Sequence, residues 1–234
     1  MDDPKLKDYQ VSYDRIADEY VRRIYGELQH KPLDLELLDR FAAAVRDVGP
    51  ACDIGCGPGH VTRYLHDQGV EICGIDLSPK MVERARHLNP RIEFRTGDMT
   101  TLDVTEATWA GIVAFYSLIH ISREEMVRAL AELRRVLQPG GLLLLSFHIG
   151  DEAVHLDEMW GHTVCLDFFF FQPEEIADFL TLAGFEIEDI IERDPYPEVE
   201  HQSRRSYIFS RRAAEVPQIS YKQSNRQKIR SPIF

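Results

Sequence analysis

The chain has 234 residues, 44% of them apolar and 28% charged, which suits one domain with a substantial core. No apolar run reaches the roughly 20 residues of a membrane helix. Met1-Asp2-Asp3 opens no apolar signal segment, and Cys52, Cys56, Cys73 and Cys165 lack metal-ligand spacing, so a cytoplasmic protein with reduced thiols and no metal is expected. The net charge of −12 is uneven: from Arg211 onward six cations face only Glu215, a segment of net +5 that leaves the rest at −17, and an acidic body disfavours nucleic acid.

Apolar positions at helical spacing predict a helix over residues 8–26, through Tyr9, Tyr13, Ile16, Ala17, Tyr20, Val21 and Ile24. A second is expected over 33–47, with His30-Lys31-Pro32 as the joint, either a plain surface turn or a face of a pocket. Strand and helix then alternate: strand at 50–54, helix at 59–68, strand at 71–76, helix at 79–87, strands at 91–96 and 111–116, helix at 123–137. Ser78 and Pro79 read as N-cap and first helical residue, and Ser122 with Glu125 as a capping box. Pro139-Gly140-Gly141 reads as a stop and turn before the apolar strand Leu142 to Phe147. Residues 149–172, with Trp160 and the run Phe168 to Phe171, interrupt the alternation as an insertion with one or two short strands. A helix from Pro173 to about Gly184 and strands at 185–191 and 205–209 follow. From residue 213 the composition is polar and basic, and a mobile tail is expected. Regular alternation predicts an α/β, doubly wound, mostly parallel sheet.

The stretch Asp53-Ile54-Gly55-Cys56-Gly57-Pro58-Gly59 reads as strand, glycine turn and helix start. Its G-x-G-x-G spacing departs from the dinucleotide fingerprint, and Asp53 before it would repel a pyrophosphate while suiting a ligand with an ammonium group. Asp76 ends the second strand, where an acid accepts from ribose hydroxyls. Gly97-Asp98-Met99 ends the third; Asp98 is placed for an adenine amine and Met99 for its ring.

On these residues, with Ala114-Phe115-Tyr116-Ser117-Leu118-Ile119-His120-Ile121 and residues 133–147, the chain resembles the class I S-adenosylmethionine-dependent methyltransferases over roughly residues 8–212. The resemblance implies a Rossmann-like seven-stranded sheet whose last strand inserts antiparallel, N-terminal lid helices over about 8–47, and one methyltransferase domain over 1–212. It implies S-adenosyl-L-methionine as cofactor and S-adenosyl-L-homocysteine as product. Cofactor contacts fall on Asp53, Gly55, Cys56, Gly57, Gly59, Asp76, Leu77, Met81, Asp98, Met99, Tyr116, Ser117 and Tyr20. His120 and His148, near strand ends, are candidate general bases, since imidazole titrates near neutrality. Tyr13, Trp160, Glu200, His201 and Arg204 are candidate acceptor contacts; core packing for Tyr13 and a solvated loop for residues 198–205 are the plain alternatives. Expected partners are a small-molecule acceptor, no nucleic acid and no membrane, in a monomer or homodimer. Rival readings are methylation of protein or tRNA, cofactor binding without methyl transfer, and another reaction on the same bound cofactor.

Overall fold

The computed structural model describes residues 4–213. The expected tail from residue 214 lies outside them, while Ala213 is buried and donates its N–H to the Gly184 carbonyl at 3.1 Å. Helix α1 (Pro4–Ile24) begins earlier than its spacing suggested, and a 3-10 turn, Glu27–His30, joins it to α2 (Pro32–Val45). Then come β1 (Ala51–Ile54), α3 (His60–Asp67), β2 (Ile72–Asp76), α4 (Pro79–Leu88), β3 (Glu93–Thr96) and β4 (Trp109–Phe115). Helix α5 (Arg123–Val136), β5 (Leu137–His148), the hairpin β6 (Ala153–Met159) and β7 (His162–Phe169), α6 (Pro173–Leu182), β8 (Phe185–Arg193) and β9 (Arg205–Arg212) complete the order. Among the described residues no helix is long and apolar enough to cross a membrane.

The seven-stranded sheet runs β3-β2-β1-β4-β5-β9-β8, with β9 antiparallel to both neighbours and β1 to β5 parallel. Both faces are covered, so central strands are apolar on both sides. On β5, Leu143, Leu145 and Phe147 pack toward α5 and α6, while Leu142 and Leu144 pack toward α2 and α3. The period of two along a strand makes that division. The segment 139–141 differs from expectation. It is a bulge inside β5: Trp109 pairs with Leu137 but Gly111 with Leu142, and Gly140 takes φ 74°. Ser122 occupies the N-cap of α5, yet its side chain makes no cap bond; the expected capping box is absent. Ser78 does cap α4, accepting from Met81 N–H at 3.1 Å.

The insertion after β5 is a two-stranded hairpin closed by Trp160 and Gly161 at φ 54° and 82°, the double left-handed turn that suits strand twist. It packs on α1: Tyr9, Ile16, Val164 and Leu166 form a separate small core, joined by Tyr13, Tyr20 and Phe168. Hairpin and α1 thus form a roof over the carboxyl ends of the strands. Hydrogen bonds fix it. Ser12 Oγ accepts the Cys165 N–H at 2.8 Å. Asp14 accepts from Ser78 Oγ at 2.6 Å and Lys80 N–H at 3.0 Å, holding α1 against the start of α4.

Candidate active site

Beneath the roof lies a cavity lined by the ends of four adjacent strands: Asp98 and Met99 beyond β3, Asp76 and Leu77 at β2, Gly55, Cys56 and Gly57 after β1, and Tyr116 and Ser117 after β4. Tyr9, Tyr13 and Tyr20 of α1 close it from above, and Met81 and His120 also line it. Ligands in open α/β sheets bind at this edge, where the strand order reverses.

The glycine turn needs its glycines. Gly55 has φ 72°, and a Cβ there would collide with the Ser117 side chain. Gly55 and Cys56 N–H groups both donate to Ile75 carbonyl, at 2.7 and 3.1 Å, drawing the turn toward β2. Gly55→Ala is expected to cost about 1–3 kcal/mol through overpacking and left-handed strain. Differential scanning fluorimetry checks this; an unchanged melting temperature would contradict the close approach.

Asp76 holds the turn from the other side. Its Oδ2 accepts Gly57 N–H and its Oδ1 accepts Ser78 N–H, each at 2.8 Å. Burial outweighs these donors and pushes its carboxyl up to about 6. Asp98 accepts from Thr100 N–H and Oγ1, both at 2.8 Å, which orders the turn after β3.

His120 is tied on both nitrogens. Nδ1 faces the Asp167 carbonyl at 2.7 Å, an acceptor only, so Nδ1 carries the proton. Nε2 is then the acceptor for the Tyr13 hydroxyl at 2.6 Å. Burial lowers His120 to about 4, so it is neutral near pH 7. The pair joins roof to sheet edge. Burial and the neighbouring Arg205, His201 and Lys31 charges lower His148 to about 3; its Nδ1 lies 2.8 Å from Ser203 Oγ.

Several expected site residues lie elsewhere. Asp53 is 1% exposed and does not line the cavity; it accepts from Thr62 Oγ1 at 2.7 Å, because its position on β1 turns it toward α3. Gly59 is the left-handed N-cap of α3, packed so closely that a Cβ would lie 2.8 Å from the Phe94 ring. Trp160 sits at the hairpin tip, with its ring 5.9 Å from Tyr20 and the Arg23 guanidinium 5.3 Å over it. His148, Glu200, His201 and Arg204 are also outside the cavity lining. Arg204 is exposed and pairs with Glu192 at 2.7 Å; His201 is exposed, 5.8 Å from the His148 ring.

Glu200 belongs to a buried ion cluster beside the cavity wall. It pairs with Arg193, with Arg205 at 3.1 Å and with Lys31 at 3.3 Å. Arg193 also pairs with Asp34 at 2.9 Å. Tyr207 donates to Asp34 at 2.7 Å, so Tyr116, 2.8 Å from the Tyr207 hydroxyl oxygen, donates to Tyr207. Tyr116 carries φ 50°, an uncommon left-handed conformation for a bulky residue. The cluster ties the first residues of α2 to β8 and β9 and backs Tyr116 against the cavity.

Sequence reasoning missed Glu27 and His60, both lining the cavity and 3.3 Å apart. His60 directly follows the glycine turn, which is a usable signal. Glu27 sits in a short turn with no periodicity to mark it.

Residues 51–141 match the family model described as a methyltransferase domain. A malonyl-[acyl-carrier protein] O-methyltransferase of Enterobacter lignolyticus is 28% identical over 154 residues, 64% of this chain and 57% of that protein. The chain thus spans little more than half the length of the curated relatives it matches first. Among solved structures, DhpI in complex with SAH has a TM-score of 0.71 at 21% identity, covering 92% of this chain and 100% of that one. Magnesium protoporphyrin IX methyltransferase (ChlM) of Synechocystis PCC 6803, solved with bound SAM, has a TM-score of 0.69 at 19% identity, covering 91% and 99%. The methyltransferase-domain match over residues 51–141, the curated relatives and the shared fold together support a class I S-adenosylmethionine-dependent methyltransferase family for this chain.

Proposed function

We propose that the chain transfers a methyl group from S-adenosylmethionine to an O, N or S atom of a small-molecule acceptor and releases S-adenosylhomocysteine, within one domain over residues 1–212. The observation that carries this reading is the row of groups along four adjacent strand ends. It suits the three parts of S-adenosylmethionine in order. Asp98 takes the adenine amine and Met99 its ring; Asp76 takes the ribose hydroxyls; the glycine turn admits the amino-acid end. Two buried polar atoms of residues lining the cavity, Ser117 Oγ and His60 Nδ1, lack a protein partner, and buried polar groups are normally paired. That DhpI and ChlM share the fold and were solved with SAH and SAM supports the cofactor.

When bound, the cofactor supplies an electrophilic methyl on a sulfonium. The chain's own residues contribute alignment: the roof tyrosines exclude water, and the strand ends hold the nucleoside so that nucleophile and methyl meet in line. Burial lowers His120 to about 4 and His148 to about 3, which makes both weak bases, and His120 has both nitrogens engaged. That favours acceptors already nucleophilic without a strong base: carboxylates, amines or thiolates. The match to a malonyl-[acyl-carrier protein] O-methyltransferase supports the first of these. The acidic body speaks against nucleic acid.

The test is release of S-adenosylhomocysteine from S-adenosylmethionine across a panel of carboxylic acids, amines, thiols, phenols and alcohols. Turnover with one of the first three classes is expected. Turnover confined to alcohols and phenols would contradict the acceptor reading. Nucleoside binding without turnover would favour a binding role alone.

A further inference from the structure

Two thiols stand side by side in the sheet. Cys52 of β1 is the register partner of Cys73 of β2, so both side chains leave the same face. Neighbouring strands lie about 4.7–4.9 Å apart, within the roughly 4.4–6.8 Å between α-carbons that a disulfide spans. The Cys73 sulfur leans toward β1, donating to the Ala51 carbonyl at 3.8 Å. All four cysteines of the chain are free.

The two thiols differ in access. Cys52 is fully buried, whereas Cys73 is half-buried and lines a second cavity, of about 550 Å³. This cavity opens on the sheet face because the connection from β3 to β4, residues 97–108, carries no helix to cover it. Trp109 and Ile72 line it with Glu93 and Arg95 of β3, and Ile75 is the one residue it shares with the cavity beneath the roof. Their surroundings divide the thiols further. The Cys52 contact lowers Cys73 from a thiol's ordinary value against burial and the Glu93 charge, and the Arg95 charge adds to the lowering. Burial and the Cys73 contact push Cys52 up. The accessible sulfur is therefore also the better source of thiolate, the nucleophilic form.

We propose that Cys73 is a site of reversible thiol modification by small disulfides such as glutathione disulfide, entered from the second cavity, with Cys52 as the thiol that resolves the adduct. The Cys73 thiolate attacks one sulfur of glutathione disulfide; that S–S bond breaks, and one glutathione leaves as a thiolate and takes up the proton Cys73 had released. The Cys52 sulfur then attacks Cys73 Sγ; the mixed S–S bond breaks, and the second glutathione leaves with the Cys52 proton. In balance, two protein thiols are oxidised to a Cys52–Cys73 disulfide and one glutathione disulfide is reduced to two glutathiones. The second step is the slower, because Cys52 is buried and holds its proton. The inference stands apart from the cofactor reading.

The test is incubation of the full chain, folded and carrying Cys165→Ser, with glutathione disulfide, followed by peptide mapping without reductant. The substitution removes the exposed thiol, which reacts on its own account. Expected is a cross-link between the Cys52 and Cys73 peptides that dithiothreitol removes. In Cys52→Ser on the same background the glutathione should remain on Cys73, and in Cys73→Ser neither Cys52 nor Cys56 should be modified. Cys73 left unmodified under conditions that modify Cys165 in the parent chain would overturn the inference without recourse to any variant. A glutathione adduct that persists on Cys73 beside an intact Cys52 would overturn the resolving role. Modification of Cys52 or Cys56 in Cys73→Ser at the parent's rate would show that access comes by unfolding rather than through the cavity.

Discussion

Asp76→Ala is expected to weaken S-adenosylhomocysteine binding by about 1.5–3 kcal/mol, roughly ten- to a hundredfold, the range for hydrogen bonds to a charged group. The carboxylate has two tasks in this account. It accepts from the ribose, and it accepts Gly57 and Ser78 N–H, setting the glycine turn and the start of α4. Losing both displaces the turn as well as the contact. Unchanged affinity would remove Asp76 from the ligand site. The pH dependence follows from its carboxyl standing at about 6, raised by burial. Ribose recognition needs the ionised form, so affinity falls as pH drops below about 6. Stability runs the other way. A carboxyl raised on folding favours the folded state below its ordinary value and loses that contribution as pH rises through about 6. Asp53, also raised to about 6 by burial, adds in the same direction. The stabilisation given by the ligand is therefore expected to grow between pH 5 and pH 7, while these two groups make the free protein less stable. A ligand-induced melting shift that is flat over that range would contradict the assignment.

Arg193→Met is expected to destabilise the fold by about 3–5 kcal/mol, the cost of leaving buried carboxylates without their partner. The side chain of Arg193 is 7% exposed, and those of its partners Asp34 and Glu200 are 1% and 4% exposed. The guanidinium also donates to the Tyr207 hydroxyl at 2.9 Å and lies 4.2 Å over the Tyr196 ring. For a chain of this size each kcal/mol is worth roughly 2–4 °C, so a fall of about 6–20 °C is expected. Arg204→Met is the control. Its ion pair with Glu192 is exposed, and a change within about 0.5 kcal/mol is expected. Equal melting temperatures for the two variants would show that the cluster contributes little to the fold.

The parts of the molecule legible in the sequence are those written by period. Alternating apolar runs and helical spacing marked the doubly wound sheet, and the glycine turn between Asp53 and His60 marked the site's centre. What escaped was held by contacts across the chain. Asp14 lies in α1 with no motif to mark it, and it accepts from Ser78 and Lys80, some sixty residues away. Tyr13 meets His120 only because the hairpin presses α1 onto the strand ends. Arg193 and Glu200 stand at strand ends and in loops, where charge ordinarily means solvent, so their burial against Asp34 and Lys31 left no local trace. Asp53 stands at the end of β1, where the motif put it, but nothing in the motif foretold that its carboxylate accepts from Thr62 of α3.

Isothermal titration of the purified chain with S-adenosylmethionine and S-adenosylhomocysteine, with NAD as control, tests the central claim most directly. Micromolar binding of both sulfur nucleosides and none of NAD is the expected result. Binding of NAD, or of neither sulfur nucleoside, would contradict the account of the cavity from Asp98 to Tyr116.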